Sequence, residues 1–429
     1  LDISHPEVEE FLDVRKPTGG DVNRKSTNLH HGVLLSDEFM ELIEKATKIE
    51  GFDDSWDLVD PHSGEIKKTV SAKTLWVKLI QNRVETGEPY IMFKDTVQEA
   101  VPEFQQNLGL TVHHSNLCSE ITLATDKDRT AVCCLSSVNL EEYDEWKDND
   151  DFIPDLVRML DNVIEFFINN APDQLSRASY SAMRERSLGL GAMGFHAYLQ
   201  RHSIPFESAM AKGRNLQMFG RIKGEAVRAT RQLATERGEC PDGEGYGVRN
   251  AHLLAIAPNA SSSIICGNTS PSIEPYRANA FTQKTKSGSS LLKNEYLEDT
   301  LQDLGYDTDD VWKSILTNGG SVQHLEFLDQ WTKDVFKTAV EIDQRWVIEM
   351  AGDRQEFICQ SQSLNVFFPA NISKQELHAV HMMAWKRGVK TLYYLRSEAM
   401  KRAENVSDEV LRQYIFDSID DEGCLACEG

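Results

Sequence analysis

Ser115-Asn116-Leu117-Cys118-Ser119-Glu120-Ile121 places a thiol between an amide and a carboxylate at two-residue spacing. In an extended chain, residues two apart share a face. This spacing therefore predicts Asn116, Cys118 and Glu120 on one side of the segment. An amide, a thiol and a carboxylate together suit covalent or radical sulfur chemistry with an adjacent proton acceptor. A buried structural cysteine between two incidental polar residues would have the same local sequence.

Composition narrows the setting. The chain has 429 residues, enough for one large core or for two to three domains. Its 40% hydrophobic and 26% charged residues are ordinary for a globular protein. A net charge of −23, spread along the chain, argues against a nucleic-acid-binding surface but leaves room for nucleotides as small ligands. No apolar run has the length of a membrane span and no signal peptide is recognisable, so a cytoplasmic protein without membrane partners is expected. The eight cysteines in so long a chain point to thiol chemistry at a few positions and burial at the rest, not to a disulfide framework.

Helical and short apolar segments alternate. Leu1–Leu12 has the pattern of a strand end running into a helix, and residues 13–21 that of a loop. Leu75, Trp76, Leu79, Ile80 and Val84 recur at helical spacing, with Gly87 placed to end the helix. Ile153 to Phe167 marks a second helix with Pro154 in its first turn, and Leu328 to Trp346 a third, long one. Strand-like runs lie between them at residues 90–93, 131–135, 253–257, 364–368 and 389–395. This alternation predicts an α/β architecture with strands covered on both faces. The acidic stretch 404–422 predicts a helix followed by a mobile tail.

Other motifs carry weaker signals. Gly189-Leu190-Gly191-Ala192-Met193-Gly194 matches the dinucleotide-binding pattern, but the preceding residues 182–188 look charged and helical. Without a strand before it, close packing between helices is the better explanation. His30-His31 and His113-His114 are poor metal candidates, because adjacent side chains on an extended chain diverge, and no metal ligands are expected. Pro258-Asn259-Ala260-Ser261-Ser262 is small and hydroxyl-rich; it suits a helix N-cap or a phosphate-holding loop. Asn268 to Pro275 predicts an irregular turn. Tyr393-Tyr394 suits simple packing, or an electron relay if a local bend brings both rings to one side. The terminal Cys424/Cys427 pair can close a disulfide or bind zinc, and a mobile dithiol fits electron carriage better because the tail offers no further zinc ligands.

In combination, Asn116-Leu117-Cys118-Ser119-Glu120, Pro258 to Ser262, Leu392-Tyr393-Tyr394-Leu395-Arg396 and Cys424/Cys427, in that order, resemble the large catalytic subunit of class I ribonucleotide reductase. Arg15 to Gly20 and Asn28 to Gly32 fit the same pattern less specifically. The resemblance implies a portion of a ten-stranded α/β barrel with a central finger loop, over residues 1–403, and a flexible tail over 404–429 that carries the redox cysteines. It implies reduction of ribonucleoside diphosphates by a thiyl radical on Cys118, with Glu120 as base for the 3′ hydroxyl and Asn116 orienting the substrate. Cys133 resembles one half of the reducing dithiol, and Pro258, Asn259, Ala260, Ser261 and Ser262 the loop that holds the substrate diphosphate. Tyr393 and Tyr394 resemble the last radical relay from a metal-containing small subunit. Cys424 and Cys427 resemble the dithiol re-reduced by thioredoxin or glutaredoxin. No cofactor bound directly to this chain is implied.

The sequence also departs from the family pattern. No cysteine precedes Cys118 to partner Cys133, and the effector-reading regions would also lie upstream. The expectation is therefore the C-terminal portion of a large subunit, inactive alone, that needs an N-terminal partner segment and assembles as a homo-oligomer. An adenosylcobalamin-dependent reductase of the same superfamily, which would not need paired tyrosines, and a non-catalytic fragment that binds the small subunit or an assembly interface are the alternatives.

Overall fold

A computed structural model describes residues 1–285, 288–369 and 371–397; Cys424, Cys427 and the acidic tail lie outside the described residues. The chain divides into two compact units, one built from Leu1–Ala131 and the segment from Cys359 onward, the other from Val132–Ile358. Among the described residues no helix is long and apolar enough to cross a membrane.

The first unit opens as the sequence predicts: Asp2 bridges to Leu34, and the helix Val8–Leu12 follows. Gly32–Leu35 pairs in parallel with Tyr90–Phe93, and Thr391–Leu392 pairs antiparallel on the other side of that central strand. All four residues of Tyr90–Phe93 are buried, as a strand covered on both faces requires. Between the first two strands runs the helix Ala72–Thr86, which turns Leu75, Trp76, Leu79 and Ile80 inward. The Ser71 hydroxyl accepts from the Thr74 N–H at its start, and Gly87, at φ 79°, donates to the Arg83 carbonyl at its end. A left-handed residue at this position satisfies an otherwise unpaired helix carbonyl, and only glycine adopts it without strain.

Residues 389–395 do not form one strand. Thr391–Leu392 belongs to the first sheet, whereas Leu395–Ser397 pairs in parallel with Val366–Phe368. The chain changes sheets at Tyr393 and Tyr394, whose backbone groups bond elsewhere. Tyr393 N–H donates to the Leu364 carbonyl at 2.9 Å, and Tyr394 N–H to Asn365 Oδ1 at 3.1 Å. The fully buried Arg83 donates to the Tyr393 carbonyl at 3.1 Å and also to the Pro89 carbonyl.

In the second unit Cys134–Asn139 pairs in parallel with Leu188–Met193, and Leu190 bridges to Leu254. The strand expected at 131–135 thus starts at Cys134, and the run 253–257 contributes a bridge in place of a regular strand. The helix Phe152–Asn170 matches its prediction and packs on the long helix Ala209–Arg237. The single helix expected from Leu328 to Trp346 is two: Gln330–Val335 and Gln344–Gln355. Asp329 and Asp343 each cap one of them, and the chain between bonds outward, Ala339 N–H to the Tyr276 carbonyl. An aspartate that accepts backbone N–H groups competes with helix continuation, and the apolar spacing runs on through the break.

The glycine motif is also corrected. Leu188–Met193 is a fully buried strand, Gly194 a left-handed turn at φ 82°, and Phe195–Arg201 a helix, so the strand-turn-helix context exists. The close packing is strand against strand rather than helix against helix. A Cβ on Gly191 would lie 2.5 Å from the Ala255 carbonyl, and one on Gly189 would lie 3.0 Å from Cys133 Sγ. We expect Gly191→Ala to lower unfolding free energy by about 2 kcal/mol in urea titration, the usual cost of overpacking, and an unchanged midpoint would contradict this packing.

Candidate active site

Asn116 to Glu120 is a tight turn, not an extended segment. Ser119 N–H donates to the Asn116 carbonyl at 3.2 Å, and Ser119 sits at φ 69°. The turn brings two of the three side chains expected on one face, Asn116 and Glu120, into contact, while the Cys118 thiol faces Tyr393. Asn116 bonds the Glu120 carboxylate and accepts from the Ile121 N–H at 3.1 Å. Ser363 Oγ lies 2.6 Å from the Cys118 carbonyl and 3.0 Å from Glu120 Oε2.

A bed of buried polar residues carries the turn. Gln360, Ser361, Gln362, Ser363 and Asn365 are all buried. Buried polar groups need partners, and here many of the partners are backbone atoms of the turn. Ser361 N–H donates to the Glu120 carbonyl at 2.9 Å, Thr122 N–H to Gln360 Oε1 at 3.3 Å, and Thr391 Oγ1 to the Ser119 carbonyl at 2.9 Å.

The bend at residues 393–394 puts Tyr393 against the thiol and Tyr394 against Tyr393. Tyr393 Oη lies 3.6 Å from Cys118 Sγ. The rings of Tyr393 and Tyr394 have centroids 4.3 Å apart, and each contacts Tyr90, at 4.8 and 5.1 Å. Burial pushes the Tyr393 and Tyr90 phenols well above the usual tyrosine range, with Cys118 and Tyr394 adding at Tyr393 and Glu88 adding at Tyr90.

Sequence reasoning missed a second group, around Glu88. Its carboxylate is fully buried and gathers Arg15 at 2.9 Å, His30 Nδ1 at 2.6 Å and His31 Nδ1 at 3.1 Å. The adjacent histidines therefore converge on one carboxylate; the His31 backbone N–H, donating to Glu88 Oε2 at 3.0 Å, draws them together. Among the described residues no cluster of His, Cys, Asp and Glu is arranged to hold a metal. The only sequence signal for this group was the His-His pair itself. A cavity of about 440 Å³ opens beside it, lined in part by His30, Tyr90 and Asn116.

The remaining predicted residues among those described lie in the second unit. Cys133 precedes the strand Cys134–Asn139 and packs at Gly189 of the neighbouring strand. Cys134 is half-buried, and burial raises its thiol above the ordinary value. Ala260–Ile265 is a short helix preceded by Asn259 in the left-handed region at φ 54°, and Asn259 Oδ1 accepts from Ser137 Oγ at 3.2 Å. Asn259 of the Pro258, Asn259, Ala260, Ser261 and Ser262 segment thus lies against Ser137, within the strand Cys134–Asn139.

Burial pushes the Glu120 carboxyl above the usual carboxylate range, against the bonds from Asn116 and Ser363 that hold it down. A raised carboxyl is the better proton acceptor near neutral pH. Ser363→Ala removes a bond to the charged form, so the Glu120 titration, followed by carbon-13 NMR, should move up by about one pH unit. A downward or absent shift would refute that role for Ser363. Glu88 behaves oppositely: burial alone would raise it, but His31, Arg15 and His30 together hold it below the usual range. A lowered folded-state value contributes stability above the ordinary glutamate range and loses it as pH falls through the lowered value. Glu88→Gln should therefore flatten the loss of stability between about pH 5 and about pH 3, measured by urea unfolding.

Comparison with known proteins bears on the whole chain. The family model described as the ribonucleotide reductase barrel domain matches residues 1–245 and 241–395. A frog virus 3 (isolate Goorha) protein, provisionally named ribonucleoside-diphosphate reductase large subunit, is 49% identical over the whole chain and 74% of its own length. The ribonucleoside-diphosphate reductase large subunit of Caenorhabditis elegans is 31% identical over the whole chain and 61% of its own length. The solved α subunit of the Actinobacillus ureae class Id ribonucleotide reductase superposes with a TM-score of 0.81 at 37% identity, over 92% of this chain and 69% of that one. The chain belongs to the ribonucleotide reductase large-subunit family and carries its barrel domain.

Proposed function

We propose that this chain reduces ribonucleoside diphosphates to 2′-deoxyribonucleoside diphosphates through a thiyl radical on Cys118. The observation that carries the reading is the line of contacts from Tyr394 through Tyr393 to Cys118, with ring centroids 4.3 Å apart and Tyr393 Oη 3.6 Å from the sulfur. A thiol oxidised inside protein needs its electron removed through neighbouring groups. Two buried phenols in line, one in contact with the thiol and the other with the first, supply that route, and an adenosylcobalamin-dependent enzyme would have no use for one.

The chemistry follows from the groups around the turn. A Cys118 thiyl takes the hydrogen atom from the ribose 3′ carbon, while Glu120 takes the 3′ hydroxyl proton and Asn116 orients that hydroxyl. The 2′ oxygen leaves as water. Cys133 and a second thiol, from an N-terminal part of the large subunit, give two electrons and two protons and become a disulfide. Glu120 returns its proton to the 3′ oxygen, and Cys118 returns its hydrogen atom to the 3′ carbon and is a thiyl again. Pro258 to Ser262 hold the diphosphate through backbone N–H groups and hydroxyls. Cys424 and Cys427 reduce the disulfide and are themselves reduced by thioredoxin or glutaredoxin. The partners in this reading are the radical-generating small subunit, the N-terminal part and a second copy of the chain, in the cytoplasm.

The test is reduction of cytidine diphosphate by this chain with a class I small subunit, with and without a co-expressed N-terminal fragment. Turnover should appear only with the fragment and fall to background in Cys118→Ala and in Tyr393→Phe, a phenol-less ring of the same shape. Turnover in Cys118→Ala would refute the role of the thiol. Failure in every combination would favour a non-catalytic chain that binds the small subunit.

A further inference from the structure

We propose that Gly191 and Gly194 seat the segment that holds the substrate diphosphate, and that Ser137 is the positioning residue that fixes its entry. The inference rests on the reading of Pro258 to Ser262 given above and assigns the glycine motif, which that reading leaves without a part.

The strand Leu188–Met193 lies between two neighbours. Cys134–Asn139 pairs along one edge, with Ser137 opposite Gly191, and the run 252–255 bonds along the other. On that second edge Leu190 N–H donates to the Leu253 carbonyl at 2.8 Å, and Ala255 N–H to the Leu190 carbonyl at 3.3 Å. Shortly after, Asn259 Oδ1 accepts from Ser137 Oγ at 3.2 Å, on the first edge. The chain therefore crosses the glycine strand between residues 255 and 259. It crosses at Gly191, where a Cβ would lie 2.5 Å from the Ala255 carbonyl oxygen, 3.2 Å from the Ile256 Cα and 3.3 Å from Ser137 Oγ. A glycine inside a strand often marks such a close approach of a second backbone, and any side chain here would close the crossing.

Ser137 receives the chain on the far side. Asn259 sits in the left-handed region at φ 54°, a conformation that persists in a non-glycine residue only where its surroundings hold it. Its side chain caps no N–H of the helix Ala260–Ile265, so the Ser137 hydroxyl, rather than the helix, orients the carboxamide. The direction in which Ala260, Ser261 and Ser262 leave is set with it.

The exit of the segment is fastened at the other end of the motif. Gly194, at φ 82°, donates its N–H to the Ser270 carbonyl at 2.7 Å, and Ala197 N–H donates to Ser270 Oγ at 3.1 Å. A Cβ on Gly194 would run into Asn139 Oδ1 and lie 2.7 Å from Thr269 Oγ1. These bonds also decide against a dinucleotide at the motif. A pyrophosphate there would need the N–H groups around the start of the helix Phe195–Arg201, and Ser270 already takes two of them. The spacing of a nucleotide fingerprint thus serves to clamp a segment of the same chain, fixed at Asn259 and at Ser270. Donors held in place before the ligand arrives lose less freedom on binding it.

The test is steady-state reduction of cytidine diphosphate by the full chain with the N-terminal fragment and a class I small subunit. Ser137→Ala should raise KM for the diphosphate about fivefold, the scale of one neutral hydrogen bond, with kcat within about twofold of the parent. Ser137→Thr keeps the hydroxyl and should keep the parent KM. Gly191→Ala should raise KM further, because a Cβ displaces the crossing itself. An unchanged KM in Ser137→Ala, with KM raised in the Ser261→Ala and Ser262→Ala variants, would overturn the proposal and leave the diphosphate reading standing. A fall in kcat at unchanged KM in Ser137→Ala would also overturn it, since the effect would then lie outside substrate binding. An unchanged KM in both Ser261→Ala and Ser262→Ala would overturn the diphosphate reading and the proposal with it.

Discussion

Consecutive residues on a strand point to opposite faces, and two rings at neighbouring positions meet only where the strand stops being one. The site in the first unit depends on that interruption. The chain leaves the Tyr90–Phe93 sheet after Leu392 and joins Val366–Phe368 from Leu395, and the two residues left between sheets are the tyrosines. Each has a backbone N–H bonded to the 364–365 segment, and Arg83 takes the Tyr393 carbonyl. The bend is tied at three points, which hold Tyr393 against Cys118 and Tyr394 against Tyr393.

The cysteine turn obeys the same logic on a smaller scale. Its backbone folds back on itself and brings the Asn116 amide to the Glu120 carboxylate, with Ser119 in a conformation that non-glycine residues rarely adopt. Local strain of that kind persists where the surroundings over-determine it. Here the surroundings are the buried polar run from Gln360 to Asn365, whose members bond the turn or the bend. The thiol is thus carried on a framework of directional bonds, which locate it more narrowly than apolar contacts would.

Much of this was legible in the sequence, for identifiable reasons. Helices with clean apolar spacing and distinct ends, Ala72–Thr86 and Phe152–Asn170, match their predictions because propensity, capping and burial agree. The helix break between Val335 and Gln344 was hidden because the apolar spacing continues through it, and only the capping role of Asp343 marks it. The glycine motif misled because residues 182–188 are charged, although the strand begins at Leu188. Residue type singled out Asn116, Cys118 and Glu120, but the extended shape read into the segment is replaced by a turn that joins Asn116 to Glu120. Ser363, Arg83 and Glu88 had no local signal. They lie 245, 310 and 58 residues from the atoms they position, Cys118, Tyr393 and His30, and no window on the sequence spans such distances.

Ser363 has one further property. Its hydroxyl sits within bonding distance of two acceptors, the Cys118 carbonyl and the Glu120 carboxylate, and it owns a single hydrogen. At any instant that hydrogen goes to one of the two. When Glu120 carries a proton its demand falls, and the hydroxyl is released wholly to the carbonyl that holds the thiol's backbone. The grip on Cys118 is therefore strongest when the neighbouring acid is neutral and weakest when it is charged, so the restraint on the sulfur tightens and loosens with each proton the carboxyl gains and gives up.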